Sequence, residues 1–507
     1  LERGQRVARG VAFAALGAPE ENGGWAPHLH FQLTLITDGL GGDWPGAADP
    51  DDAAFWRAIC PNPAALLNLL DAGVAYRPLD TERISAMRRA HFATNLKLSY
   101  DEPCLFVRGW RTHLFDEWGR PYLDAYNNVP HVGHSHPRLQ AITCDQLLRL
   151  NSNTRYLHPA QVAFAESLLA KMPRHLTHVF FVNSGSEGNE IALRLARTHT
   201  GGKDMVVADH GYHGNTTGAI DLSAYKFNRP RGGGAPEWVQ VVPVADTYRG
   251  AHRGGDAAER YASAVDEALE RLRDRGARLA GFISETFPSV AGQVIPPAGY
   301  LRAVYARIHA AGGVCIADEV QTGLGRLGEF YWGFEQQAAR PDIVVLGKPL
   351  GNGHPLGAVV TTSEIARSFD NGIEFFSTFG GSTLSCRVGT EVLRIVDEEG
   401  LQQNARVTGD RLLVGLRELQ SRHEAIGDVR GIGLFIGVDL VADRVTRVPA
   451  TRAAERVKNR LRAERILIGT EGPADNVLKI RPPLTIEPDD VDQLLETLDR
   501  VLGETVS

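Results

Sequence analysis

The 507 residues carry 54 Lys and Arg against 61 Asp and Glu, a net charge of -7, with 43% hydrophobic and 23% charged residues. These values are ordinary for a globular chain and argue against a nucleic-acid binder, which would carry a basic face. No uninterrupted apolar run reaches the ~18 residues of a membrane span, so no membrane partner is expected.

At the N-terminus, Arg6 and Arg9 interrupt any apolar core, so the start does not read as a signal peptide. Leu1 stands where an initiator Met would, which predicts a piece of a longer protein. The segment VARGVAFAALGAPEENGGWAPHLHFQL has two strand patterns, with His28 and His30 alternating onto one face of the second. It resembles the last strands of lysostaphin-type zinc peptidases, whose signature ends G-P-H-L-H-F. That resemblance implies His30 as a zinc ligand and His28 as a catalytic histidine. The other two ligands of that family lie upstream of these strands, so residues 1–37 are expected to be a truncated fragment without a zinc site. Residues 38–84 are rich in Gly, Pro and Asp and predict a linker, with short helical stretches at AAFWRAI and PAALLNLLDAG.

Cys60, Cys104, Cys144, Cys315 and Cys386 show no paired short spacing. They read as reduced thiols of a cytoplasmic protein, with no metal knuckle.

From residue 135 onward, short β-branched runs alternate with amphipathic stretches. HVFFVNSGSE, DMVVADHGYHG, LAGFISETF, GVCIADEVQTG and DIVVLGKPLG read as strands; PAQVAFAESLLAKM and PPAGYLRAVYARIHAAG read as helices. Such alternation predicts an α/β fold with a parallel sheet covered on both faces, and ligands at the carboxyl ends of its strands.

The unusual polar clusters fall at those ends. Asn183 to Glu190 (NSGSEGNE) follow one run and open a helix, where free backbone N–H groups suit a phosphate or simply cap the helix. Tyr212 and His213 follow the next run; an aromatic ring there can stack on a flat cofactor or only pack. Asp318 ends VCIAD, and a carboxylate in that position needs a partner such as a protonated ring nitrogen. Lys348 ends VVLGK. A nucleotide loop would need Ser or Thr after this lysine, and Pro349 follows instead. A solvated loop lysine is the plain alternative to a desolvated amine held for a Schiff base. Phosphate cradle, ring, carboxylate and amine together match what pyridoxal 5′-phosphate requires.

Residues 85–503 resemble the class III aminotransferases of fold-type I, carried by YLDAYNNVPHVGHSHP, LNSNTRYLHP, NSGSEGNEIALRLAR, ADEVQTGLGRLGEFYWGF, GKPLGNGHPLGAV, FFSTFGGSTLSC and LKIRPPLTIE. Within that class the chain is most similar to the phospho-lyases acting on ethanolamine phosphate or 5-phosphohydroxylysine.

The resemblance implies a small-domain segment at 85–135, a large cofactor domain at 136–378 and a C-terminal small α+β domain at 379–507. It implies Gly185 and Ser186 on the cofactor phosphate, Tyr212 with His213 and Val320 around the ring, Asp318 on its nitrogen and Gln321 on its hydroxyl. Lys348 would form the Schiff base. Thr378 would reach the cofactor of a neighbouring subunit, which implies a homodimer. Glu285 and Arg481 would face the substrate, a small amine. The transaminating members bind a substrate carboxylate at the Arg481 position while phospho-lyases can carry lysine there, so a carboxylate and a phosphate both stay open for Arg481. Lys226 and His131 would be further candidates for a second anion. The family's frequent E-P pair is replaced here by Glu285-Thr286. Lyase and transaminase chemistry both remain open on these residues, as does a peptidase-like or binding module with a passive aminotransferase domain.

Overall fold

The computed structural model describes Cys60 and residues 79–505. His28, His30 and nearly all of the expected linker, with its two helical stretches, lie outside the described residues. The chain divides into two compact units. The first includes, among the described residues, those up to Ile84 together with Leu105–Arg108 and Phe115–Arg120. In it, Asp116 Oδ1 accepts from the N–H groups of Trp118 (3.0 Å) and Arg120 (2.9 Å), closing a turn. The second unit takes Ser85–Cys104, Gly109–Leu114 and everything from Pro121 onward, including the candidate site.

The second unit is built on a seven-stranded sheet. Its strands are β1 (His178–Val182), β2 (Asp204–Ala208), β3 (Val239–Val242), β4 (Leu279–Glu285), β5 (Val314–Asp318), β6 (Ile343–Leu346) and β7 (Gly357–Thr361). They lie in the order β1-β7-β6-β5-β4-β2-β3. Every neighbouring pair is parallel except those made by β7, which runs antiparallel to both β1 and β6. The five apolar runs read as strands are strands, whereas β3 and β7 were not anticipated. The Gly- and Pro-rich GKPLGNGHPLGAV hides β7: the turn signals of its first half mask an apolar run of only five residues.

β2, β5 and β6 are buried at every position, which is why they read as continuous Val/Ile runs rather than alternating ones. Each fully buried Val or Ile stabilises the fold by about 1.5–3 kcal/mol. Helix α1 (Gly185–Thr200) covers one face with Ile191, Ala192, Leu195 and Ala196, at the spacing of one helical stripe, packed in a cluster with Val345 and Val359. Its first turn is fixed by Ser184, whose Oγ accepts from the Glu187 N–H at 3.2 Å. Helices α2 (Ala257–Asp274) and α3 (Tyr300–Ala310) pack in a cluster with Val206, Phe282 and Cys315 of the strands.

A second, antiparallel sheet joins β8 (Ile426–Ile432), β9 (Phe435–Leu440), β10 (Gly469–Glu471) and β11 (Val477–Ile480) in the order β8-β9-β11-β10. Just beyond β11, the Arg481 N–H donates to the Ala125 carbonyl at 2.8 Å. That bond ties the end of the strand to the segment carrying Tyr126 and Asn128.

Candidate active site

Six strands of the large sheet point one way, so the ends of β1, β2, β4, β5 and β6 bring their following residues to one rim. A cavity of about 320 Å³ opens there, lined by Ser184, Gly185 and Ser186 after β1 and Tyr212, His213 and Gly214 after β2. Asp318, Val320 and Gln321 come from β5 and Lys348 from β6. His354 and Leu356, leading into β7, complete the wall. The unexpected antiparallel strand therefore contributes to the site.

Asp318 is 2% exposed. Its Oδ2 lies 2.8 Å from His213 Nδ1 and accepts from Asn189 Nδ2 at 2.9 Å, while Oδ1 accepts from the Val320 N–H at 3.1 Å. Four lone-pair positions and three donors leave capacity for one more. His213 Nε2 is buried without a partner.

Glu285 sits beside Asp318 in the β4–β5 register. It accepts from the N–H groups of Tyr212 (3.2 Å) and Ser289 (3.1 Å). Burial, then the Asp318 charge, push its carboxyl up from the ordinary 4.5 to about 7. Lys348, enclosed by protein yet touching the cavity, has its amine held below the usual lysine range by burial and then by the Arg481 charge. Such an amine gives up its proton more readily.

The Gly185–Ser186 end of α1 forms a cradle of backbone N–H groups at the positive end of a 16-residue helix. Gly214 closes it from the other side. Its φ of +136° suits glycine, and a Cβ there would stand 2.6 Å from Ser186 Oγ. A Cβ on Gly185 would stand 2.8 Å from Val320 Cγ2.

Arg481 is 3% exposed. Its Nη1 donates to Ser289 Oγ at 3.2 Å and to Gln321 Oε1, and its Nε is buried without a partner. Gln321 Oε1 also accepts from Asn128 Nδ2 at 2.9 Å. Lys226 is exposed near the mouth, its ammonium 5.5 Å from the Tyr212 ring centroid and 5.2 Å from that of Tyr225. Thr378 is exposed and does not line the cavity of its own chain.

His131 is not brought to the cavity. Its Nε2 lies 2.7 Å from the Leu324 carbonyl and its Nδ1 3.4 Å from Arg326 Nη2. Burial and the Arg326 charge lower its pKa to about 3, so it offers no positive charge to a substrate anion. Both nitrogens already serve the packing around Arg326.

Several residues at the site escaped sequence reasoning. Asn189 betrays itself only as a weak helix former on the buried stripe of α1. Asn128, His354 and the pair of buried Lys479 with half-buried Glu471 carried no local signal.

Three features of the site suit pyridoxal phosphate. Asp318 keeps a free acceptor position at the cavity, Gly185 and Gly214 let the backbone around Ser186 pack closer than a Cβ would allow at the positive end of α1, and Lys348 is desolvated. The residues fit the group. A mostly parallel sheet presenting that set at one rim defines a pyridoxal-phosphate-dependent enzyme of fold-type I.

Residues 98–502 match the family described as aminotransferase class-III, and the chain belongs to that family. It is 44% identical to an alanine–glyoxylate aminotransferase 2-like protein of Drosophila melanogaster, over 86% of this chain and 90% of that one. It is 38% identical to ethanolamine-phosphate phospho-lyase homolog 1 of Caenorhabditis elegans, over 83% and 93%. Among solved structures, a phospholyase from Arthrobacter in complex with phosphoethanolamine superposes with a TM-score of 0.79 at 38% identity, covering 83% of this chain and 99% of that one.

Proposed function

We propose that this enzyme is a phospho-lyase, releasing phosphate from a phosphorylated primary amine such as an amino alcohol phosphate. Arg481, a buried guanidinium with an unpartnered Nε bonded through Gln321 to the cavity wall, supports a substrate with an anionic group, and the phosphoethanolamine bound by the 38%-identical Arthrobacter phospholyase carries the choice of a phosphate.

Pyridoxal phosphate, when bound, supplies an aldehyde that condenses with amines and a ring that accepts electrons from a bond broken at the amine-bearing carbon. In this reading Gly185 and Ser186 hold its phosphate, Tyr212 and Val320 flank its ring, and Gln321 bonds its hydroxyl. Asp318, oriented by His213 and Asn189, keeps a proton on the ring nitrogen. Lys348 Nζ would hold the aldehyde, and would serve as the base that takes the proton from the amine-bearing carbon. Arg481 would steady the phosphate as its bond to the adjacent carbon breaks, Lys226 would border the substrate's approach, and Glu285 would act from behind the Tyr212 backbone that it holds.

We extend the reading to a homodimer in which Thr378 reaches the neighbouring subunit's cofactor. Segments 150–157 and 371–381 interlock through Arg155, which pairs with Glu374 at 3.2 Å and lies 4.1 Å from the Phe376 ring centroid. They expose Leu157 (103%), Ile373 (73%) and Phe379 (70%), an apolar surface that a second copy would cover. Sedimentation of the wild type and of Leu157→Asp tests this; a wild-type monomer that retains cofactor would refute it. The division at 136–378 and 379–507 is kept as part of the same proposal, supported by the two sheets falling within those spans.

Transamination is the second reading, favoured by the 44% identity to an aminotransferase-named relative. An amino acceptor separates the two. The lyase needs none for repeated turnover; the transaminase stops after one without a keto acid.

A further inference from the structure

Arg326, Arg481 and Lys479 are all buried, at 1%, 3% and 3% exposure. Among the described residues, Arg326 bonds neutral acceptors, the carbonyls of Leu434 and Pro482 and the ring of His131. Arg481 bonds a hydroxyl and an amide. Among the described residues, the carboxylate ion-paired to any of the three is Glu471, on Lys479.

Three buried cations share one ion-paired carboxylate, with Glu285 adding only a more distant negative charge to Arg481, and poorly compensated buried charge is costly. Burial, then the Arg481 charge and more weakly the Lys348 charge, bring the Lys479 ammonium down to about 7 against the opposing pull of Glu471.

Lys479 and Arg481 are two residues apart on one extended segment, so they share a face. Lys479 also lies 5.8 Å from the Tyr126 ring centroid. Glu471, across the β10–β11 pair, is the more exposed partner, at 13% against 3% for the lysine side chain. It can swing toward water at lower cost than the lysine can.

We propose that Lys479, held at rest by Glu471, turns to the substrate's anionic group and joins Arg481 in a two-cation subsite that selects a phosphomonoester over a carboxylate. The inference rests on the lyase reading for its substrate. The selectivity follows from charge and shape. A carboxylate is satisfied by one planar guanidinium, whereas a phosphomonoester carries about 1.5–2 negative charges and three acceptor oxygens. Lysine supplies the second point charge, and Glu471 keeps it compensated while the site waits.

The test uses the cofactor-loaded enzyme with two ligands of matched length that have no phosphate to lose, 2-aminoethylphosphonate and β-alanine. Binding is read from the change in cofactor absorbance. Lys479→Met should weaken the phosphonate by about ten- to a hundredfold, as expected for loss of a charge-assisted bond, and shift β-alanine far less. Lys479→Arg should retain most of the preference. Equal weakening of both ligands, or of neither, overturns the subsite. Glu471→Gln gives a reading of opposite sign should Lys479→Met fail to load cofactor. With the competing carboxylate gone the phosphonate should bind more tightly, and weaker binding overturns the placeholder role. A wild type that prefers the phosphonate yet frees no phosphate from phosphoethanolamine refutes the lyase reading alone. A wild type that frees phosphate while Lys479→Met keeps its preference refutes the subsite alone.

Discussion

His213 Nδ1 stands 2.8 Å from Asp318 Oδ2, and both side chains are shut from solvent. The imidazole, held at its own backbone by Ser223 Oγ (2.9 Å from the His213 N–H), fixes which way the carboxylate faces. Asn189 adds a second clamp. A carboxylate so constrained can hold a proton on a ring nitrogen without paying reorganisation at each turnover.

Asp318→Asn keeps the shape and removes the charge. Turnover should fall by at least about a hundredfold, ~2.7 kcal/mol of barrier, with the fold intact by circular dichroism. His213→Asn should lower turnover less, because it misdirects the carboxylate without removing it.

On the proposed reading, Lys348→Ala removes both the covalent tether and the base. Turnover should drop about 10²–10⁴-fold, and borohydride should no longer fix cofactor to the chain. Partial rescue by a small added amine would show that the missing element is the amine itself. Wild-type turnover in Lys348→Ala would place the chemistry elsewhere.

Much of this arrangement was legible in the sequence for a physical reason. In a parallel sheet the strand interior must be apolar, so a polar residue ending such a run stands out. Asp318 after VCIA and Lys348 after VVLG both did. What escaped notice was held by contacts between distant segments. Lys479 and Glu471 meet across a strand pair with no pattern to mark them. His131 lies in a motif of the right family yet turns inward to Arg326, a choice made by packing. Strand β7 was hidden because Gly and Pro before it signal a turn more strongly than five residues signal a strand.

Gly214→Ala places a side chain in a backbone region open essentially to glycine and against Ser186. Such strain costs of order 1–3 kcal/mol, and it falls on the cradle. Cofactor affinity, followed by absorbance titration of the apoenzyme, should weaken by about tenfold or more. Unchanged affinity would mean that the cradle is wider than its atoms indicate.

Glu285 gives the apoenzyme a signed pH dependence. Its folded carboxyl is raised to about 7 from 4.5, so above 4.5 the unfolded chain gives up this proton before the folded chain does. Stability is therefore fully present below 4.5 and declines as pH rises toward 7, by on the order of 1–3 kcal/mol. Glu285→Gln should remove that slope, so that its melting temperature exceeds the wild type's at pH 8 more than at pH 5. A parallel pair of curves would contradict the assignment.

Phosphate release measured against ammonia release bears most directly on the central claim. The wild-type holoenzyme is given phosphoethanolamine with no keto acid, and both products are followed through many turnovers. Elimination predicts phosphate and ammonia rising together in equal amounts, with the cofactor absorbance unchanged at the end. Conversion that halts after a single turnover, resumes only on adding pyruvate or 2-oxoglutarate and frees no phosphate would contradict the lyase and establish a transaminase.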